Sequence, residues 1–367
     1  MDKLYDIIIV GGGLAGLSLS ILCSKSGLSV LLLEKNEYPK HKVCGEFISN
    51  ESYNFMLELG LPLKELNLPL INKFVLTSLH GLSSNCNLSP GGIGISRYKL
   101  DKLLADIAIA NGVELKQGIK VTDIKRDKDR FEVRCHNNQV FTSKLTVGAF
   151  GRISGLQANT SSENESYVGV KYHVKDGPPS NTIEIHNFSG GYCGISKIEN
   201  DTYCLCYLTK SSQLKKYKGD ILEFENNVLH KNNFLKHRFQ TEKLMQPIVT
   251  SQLNFGIATN THSSNLKIGD TAGFIPPITG NGMSLAFRAA KVLHQQIMQH
   301  NNKWEVLVQE NNNYINRYLK QRINKGIFLQ NLLLIENSYF NKLLMHSLIG
   351  IPGLLTIMSK QAVGKEI

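Results

Sequence analysis

The chain has 367 residues, 42% hydrophobic and 19% charged, which supports a packed core and argues against compositional disorder. Its net charge of +11 would suit an anionic partner, but the basic residues are scattered and carry no zinc-finger or RNA-binding spacing, so no nucleic acid is expected as a partner. Seven cysteines without a CxxC pair, and an opening that runs straight into a strand with no leader, predict free thiols and a cytoplasmic protein.

Tyr5 to Val10 is a short apolar strand, Leu14 to Ser26 a helix ended by Gly27, and Leu28 to Leu33 a second apolar strand. Their unbroken hydrophobicity is that of a βαβ unit buried on both faces. A polar loop, Lys35 to Glu46, follows, and Phe47 to Leu61 reads as a helix. Residues 70–97 read as strands and turns, and Arg97 to Asn111 as a helix that Gly112 terminates. Strands are expected at Val113 to Lys116, Lys120 to Arg126, Arg130 to His136, Gln139 to Ser143 and Leu145 to Ala149. Between about 160 and 250 the pattern turns to short alternating runs such as Thr182 to His186 and Thr202 to Leu208, as in an inserted antiparallel sheet. An apolar strand resumes at Leu266, and helices dominate from Gly282 onward. No run of about 20 apolar residues occurs, so a spanning helix is not expected. Leu343 to Met358 is apolar but broken by Gly350, Pro352 and Gly353; it reads as a helix capping the core or as a peripheral membrane contact.

Gly11, Gly13 and Gly16 have the GxGxxG spacing between a strand and a helix. Gly11 allows the tight turn, Gly13 lets a pyrophosphate approach the backbone, and Gly16 lets helix pack on strand. Leu14 and Ala15 lie in the first helical turn, whose free N–H groups and dipole favour phosphate. Glu34, at the end of the second strand and followed by Lys35, is placed to accept the hydroxyls of an adenosine ribose, which disfavours a 2′-phosphate there. A second segment, Gly269 to Ser284, decides between dinucleotides. Asp270 suits the ribityl chain of a flavin, Pro277 stiffens the loop, and Gly280, Gly282 and Met283 bring a helix N-terminus to a flat ring. FAD is the predicted cofactor.

With Arg97 opening the SRYKLDKLL helix, these motifs resemble the flavoproteins that include single-component aromatic-ring hydroxylases and geranylgeranyl reductases, over roughly residues 4–300. The resemblance implies an α/β fold: a Rossmann-like, glutathione-reductase-like FAD-binding domain with an inserted antiparallel β-sheet substrate domain and C-terminal helices. The expected boundaries are 1–160 for the FAD-binding part, with 70–97 contributing to the substrate domain; 161–255 for the inserted sheet; 256–300 for completion of the FAD site; and 301–367 for the helical end. It also implies that Arg97 contacts FAD and that Val121 lies in a strand passing the adenine. Where the family often has Asp-Gly, this chain has Phe150-Gly151, which questions direct handling of NADH or NADPH, the expected electron donor.

The segment Pro39 to Phe47 resembles the Pro-x-x-Lys-x-Cys-Gly loop of geranylgeranyl reductases, in which the Cys lies close to the flavin. Cys44 is a candidate catalytic residue whose thiol pKa Lys42 and His41 would lower, or a small residue packed under the cofactor. Glu46 is a base or a helix-start carboxylate. In the inserted sheet, Tyr192 is a candidate hydrogen-bond donor beside a glycine-rich turn. Cys204 and Cys206 share a strand face and read as core; His173, His186 and His262 read as ordinary histidines, and no metal is expected. The reading is a FAD-dependent oxidoreductase, first a monooxygenase of an apolar or phenolic small molecule, second a reductase of carbon–carbon double bonds, with a flavin-carrying binding protein without turnover as the alternative of another class. A halogenase is disfavoured because no WxWxIP-like segment exists and Trp304 is the single tryptophan. The oligomeric state is not legible.

Overall fold

The computed structural model describes residues 3–152, 165–258, 266–300, 303–335, 338–351, 353–357, 364 and 366–367. The expected boundary at 160/161 and His262 lie outside them. β1 (Leu4–Val10), α1 (Leu14–Lys25) and β2 (Val30–Leu33) form the βαβ unit, with β1 parallel to β2. Leu14 through Cys23 are all buried, because α1 is covered on every side and needs no polar face.

β3 (Phe47–Ser49), α2 (Tyr53–Leu59), β4 (Leu70–Thr77), β5 (Ser83–Gly94) and α3 (Arg97–Ala110) follow. Then come β6 (Glu114–Lys116), β7 (Val121–Asp127), β8 (Arg130–Cys135) and β9 (Val140–Gly148). The first sheet runs β6-β2-β1-β9-β8-β7. Helices cover one face, where Leu17, Ile21 and Leu104 pack on Ile7 and Ile9. The hairpin strands cover the other, where Val121 and Val133 meet Ile8 and Leu31.

The second sheet holds β10 (Tyr167–Val174), β11 (Thr182–Phe188), β12 (Gly191–Lys197), β13 (Tyr203–Lys210) and, after α4 (Ser211–Lys215), α5 (Ile221–Asn227) and α6 (Asn233–Phe239), β14 (Ile248–Leu253). Its order is β14-β10-β13-β12-β11-β4-β5-β3, so β3 to β5 join it from an earlier part of the chain. β11 is parallel to β4, and the other pairs are antiparallel. α5 and α6 bury Phe224 and Leu235 against Tyr172 and Tyr207 on one face of this sheet.

The chain then returns through β15 (Gly256–Ile257), β16 (Leu266–Lys267) and β17 (Gly273–Phe274). β16 pairs with β9 in the first sheet, which puts the second glycine segment beside the first. α7 (Gly282–His300) lies against α1; α8 (Trp304–Tyr314), joined through a π-helical stretch at Ile315–Leu319 to α9 (Lys320–Leu333), and α10 (Ser338–Gly350) follow.

Three sequence expectations change. The helix expected from Phe47 opens as a strand, because Phe47–Ser49 pairs with Gly94–Gly92 of β5; a 3-10 turn at Asn50–Ser52 then leads into the α-helix Tyr53–Leu59. The two runs at 139–143 and 145–149 are one strand, β9, shared by β8, β1 and β16. Three short helices fill 211–239, where only sheet was expected. The β3–β5 pair depends on a missing side chain: a Cβ at Gly92 would stand 2.3 Å from the Ile48 carbonyl oxygen. Gly92→Val is therefore expected to destabilise the chain by about 1–3 kcal/mol. A urea midpoint equal to the parent's would refute that packing.

Candidate active site

One cavity of about 830 Å³ lies between the two sheets, toward the upper end of the about 300–1,000 Å³ common for small-molecule sites. Gly11, Gly13, Leu14, Ala15, Glu34, Lys35, Cys44, Arg97, Val121, Tyr192, Asp270, Pro277, Gly280, Gly282 and Met283 all line it. Gly16 does not. A Cβ there would lie 2.0 Å from the Gly11 carbonyl oxygen, so this glycine serves the packing of α1 on β1. Gly11 has φ 109°, and a Cβ would meet the Ala149 carbonyl oxygen at 2.4 Å. Gly13 differs: the nearest atom to its missing Cβ is Lys42 Nζ, 4.0 Å away across the cavity. α1 starts at this point with no side-chain cap, so its first N–H groups are left to a ligand.

Glu34 is placed at this end, but its carboxylate is engaged within the protein. Oε2 accepts from Gly12 N at 2.7 Å, and Oε1 accepts from Asn36 N at 3.0 Å and Asn36 Nδ2 at 2.6 Å. Burial pushes its pKa up, but the Asn36 and Gly12 donors with Lys42 and Lys40 pull it below the ordinary value. The carboxylate thus braces the glycine turn as well as facing the cavity.

Asp101, which the sequence reading missed, organises the cations. It is fully buried and accepts two bonds from Arg97, at 2.7 and 2.9 Å, and one from Lys42 Nζ at 2.7 Å. Burial alone would raise its pKa; Arg97 and Lys42 hold it low. Opposite, Asp270 opens onto the cavity while protein surrounds it, and this desolvation raises its pKa against the pull of Arg152, Arg97 and Lys42. Gly280 closes a turn on the Pro277 carbonyl at 2.9 Å, which delivers Gly282 to the start of α7. Phe150 lines the cavity too, its ring against Gly148.

The loop that carries Cys44 is anchored by Glu46. This residue has φ 55° and a side chain fully buried between the two sheets. Its Oε1 accepts from Arg97 N at 2.8 Å and Lys171 Nζ at 2.5 Å, and Oε2 pairs with His173 Nε2 at 2.7 Å. It is therefore a helix-start carboxylate, but for α3 rather than for the segment that follows it. Burial works against its charge, yet His173 and Lys171 keep its pKa low. Lys171 was missed and His173 was read as an ordinary histidine; the available signal was two basic residues at alternate positions of the otherwise apolar Val-Lys-Tyr-His-Val run. Cys204 joins them, with ligand-capable atoms of Glu46, His173 and Cys204 within 4.8 Å of one another. The Lys171 ammonium already compensates the carboxylate, and burial pushes the Cys204 thiol well up, so this is an ion-pair cluster and not a thiolate site.

Cys44 departs from expectation in its chemistry. Burial raises its pKa, and Lys42 is turned to Asp101, so the thiol stays protonated at neutral pH. Beyond it the cavity becomes apolar, walled by Phe74, Leu76, Ile183, Ile185, Leu329 and Leu333. The Tyr192 hydroxyl is the polar group among them, 3.5 Å from Gln330 Oε1 and forced by burial to remain neutral.

Lys171→Met would leave the buried Glu46 carboxylate without its ammonium, held by Arg97 N and His173 Nε2 alone, at an expected cost of up to about 3–5 kcal/mol. Adding Glu46→Gln should recover part of that loss in urea denaturation, and no recovery would refute the pairing. The same carboxylates set an acid limit. Glu46 and Asp101 are held below their ordinary value of about 4, so their stabilisation is complete at neutral pH and disappears as pH falls through the folded-state values. The urea midpoint of the parent should fall on going from neutral pH to below about 4, and that of Glu46→Gln should fall less.

Comparisons with known proteins agree with this geometry. The chain is 22% identical over 331 residues to Conditioned medium factor receptor 1 of Dictyostelium discoideum, covering 81% of this chain but 64% of that one. It is 22% identical over 317 residues to squalene monooxygenase of Rattus norvegicus, covering 79% of this chain and 54% of the relative. With digeranylgeranylglycerophospholipid reductase of Thermoplasma acidophilum the identity is 22% over 405 aligned positions, covering 99% and 96% of the two chains. The solved structure of the flavin-dependent brominase Bmp2 superposes with a TM-score of 0.78 at 20% identity, over 98% of this chain and 93% of that one, which establishes a shared fold. The FAD binding domain family matches residues 4–305, and the chain belongs to that family of flavin-dependent oxidoreductases.

Proposed function

We propose that the chain is a FAD-dependent monooxygenase of an apolar small molecule bearing one polar end. The observation that carries this reading is the continuity of one cavity, from the Gly13 cradle and Asp270 to the apolar chamber that ends at Tyr192. Gly13, Leu14 and Ala15 would hold the pyrophosphate, Asp270 the ribityl chain, and Gly282 and Met283 the ring edge, where the start of α7 favours negative charge. The cofactor supplies redox chemistry; the chain supplies orientation and exclusion of water. Arg97 and Lys42 keep the polar half cationic. The Tyr192 hydroxyl would exchange its 3.5 Å contact with Gln330 Oε1 for a hydrogen bond donated to the polar end of the substrate, and the aliphatic walls take the rest.

A second reading is favoured by one specific observation, the protonated Cys44 thiol on the cavity wall. Saturating a carbon–carbon double bond places a hydride on one carbon and a proton on the other, and Cys44 Sγ holds a proton beside the chamber. NADH or NADPH is the proposed external hydride donor for either reaction.

Reconstitution with FAD, anaerobic addition of NADH or NADPH, and then admission of oxygen or an alkene tests both. Oxygen-dependent reoxidation with an oxygenated product supports the first reading. Reduced protein that is stable in oxygen and reoxidised by an alkene supports the second. Protein that binds FAD but is reduced by no donor overturns both and points to a flavin carrier. Gly13→Val should remove FAD binding and leave the chain folded; undiminished FAD uptake would refute the assigned cradle. Tyr192→Phe deletes one hydrogen bond of about 0.5–1.5 kcal/mol, so KM should rise about 2–10-fold with kcat little changed.

A further inference from the structure

The helices that close the apolar chamber also carry an outward surface. Leu329 and Leu333 of α9, and Leu355 beyond α10, line the cavity from inside. Met345 of α10 is fully buried in the same cluster as Leu333 and Leu355. On the outside, Tyr339, Lys342, Leu343 and His346 follow the i, i+3, i+4, i+7 spacing of one helical face, and all four are exposed. Tyr339 is 73% and Leu343 55% exposed, with Ile351 and Ile357 just beyond at 53% and 55%, and Phe328 on α9 at 64%. Five of the fifteen exposed large hydrophobic side chains among the described residues thus fall after residue 327.

The charge of this stretch is one-sided. Residues 317–367 contain seven Lys or Arg (Arg317, Lys320, Arg322, Lys325, Lys342, Lys360 and Lys365) against two Glu (Glu336 and Glu366), a balance of +5. Lys325 and Phe328 are neighbours on the exposed side of α9, as Lys342 and Leu343 are on α10. Apolar side chains set among cations, on helices lacking acidic residues on the exposed face, complement a surface that is negative outside and hydrocarbon beneath. No helix of the described residues is long and apolar enough to cross a membrane, so the contact would lie in the interface plane.

From these observations we infer that α9 and α10 dock the protein on an anionic lipid bilayer and that the chamber beneath them receives its apolar substrate from that bilayer. The inference rests on the proposed reading of the chamber as a substrate site. It explains why α9 has one face in the cavity, and α10 one face in the cluster beside it, while both carry apolar groups on the outside. A long apolar molecule would pass from hydrocarbon to chamber without crossing water, its polar end leading toward Tyr192.

The test is co-sedimentation of the FAD-loaded chain with vesicles of phosphatidylcholine alone and of phosphatidylcholine with phosphatidylglycerol, at low and raised salt. Binding to the anionic vesicles that weakens with salt is expected. Lys325→Glu with Lys342→Glu should lower the partition by about tenfold or more. Phe328→Ser with Leu343→Ser should abolish it, with FAD content and circular dichroism unchanged in both variants. Three results would overturn the inference: no sedimentation with either vesicle, equal sedimentation with both, or a concentration-dependent dimer that Leu343→Ser disperses without vesicle binding. Failure of the functional reading is separate, because a chain that takes up no FAD yet binds anionic vesicles would refute the reading and leave the docking surface standing.

Discussion

The position of the cavity depends on one buried carboxylate. Glu46 sits in left-handed backbone between two sheets and collects three donors: Arg97 N from the start of α3, and Lys171 and His173 from β10. Two of those donors are also tied to Lys42 in the cavity wall. Arg97 reaches on to Asp101 and so to Lys42, and the Lys171 ammonium also bonds the Lys42 carbonyl at 3.1 Å. Fixing Glu46 therefore fixes the loop from Lys40 to Cys44, the cations over the Gly13 cradle, and the distance between the sheets. A buried ion pair contributes little net stability compared with apolar residues of the same size, but it tolerates few alternative arrangements. Its value here is registration: it ties the loop before β3, the start of α3 and β10 to one another.

Much of the dinucleotide half was legible because its determinants are local. The strand–GxGxxG–helix order needs only neighbouring residues to be recognised, and Glu34 follows at the end of the next strand. The second glycine segment was legible for the same reason, and the pairing of β16 with β9 joins the two. What escaped the sequence depends on partners far away. Glu46 and Lys171 are separated by 125 positions, so neither residue's neighbours reveal the bond. Phe47 to Leu61 has helical spacing, yet β5 claims its first three residues for a strand, since edge pairing outweighs local preference when a glycine-bearing strand lies alongside. Of the two alternatives for Cys44, the lowered thiol pKa fails for a related reason: Lys42 is two positions away in sequence, but its ammonium points to Asp101, and burial then controls the thiol.

The cavity is graded from charge to hydrocarbon, and the gradient carries the orientation of any long ligand. At one end Lys42, Arg97 and Arg152 surround two carboxylates. Asp101 is saturated by its ion pairs, which hold its pKa low, whereas Asp270 lines the cavity and its pKa is raised by burial against the pull of Arg152, Arg97 and Lys42. The saturated group neutralises part of the cationic field permanently. The remaining field lies beside the uncapped start of α1, an arrangement that favours an anion. At the other end Phe74, Leu76, Ile183 and Ile185 offer no charge at all. A ligand with phosphates can lie in only one direction along such a path, and a hydrocarbon can occupy only the far chamber.

Phe150 follows from the same gradient. An acidic residue there would stand beside Arg152 and would compete with phosphate for its charge. Phe150 instead packs on Gly148 and leaves Arg152 to stack on Phe274, 3.9 Å from the ring centroid, with Asp270 as its nearby anion. Burial lowers the Arg152 pKa while Asp270 resists that fall, so the guanidinium is retained as a cation held by an aromatic face and not by a local ion pair. With Phe150 turned to Gly148, Arg152 is oriented by the Phe274 ring.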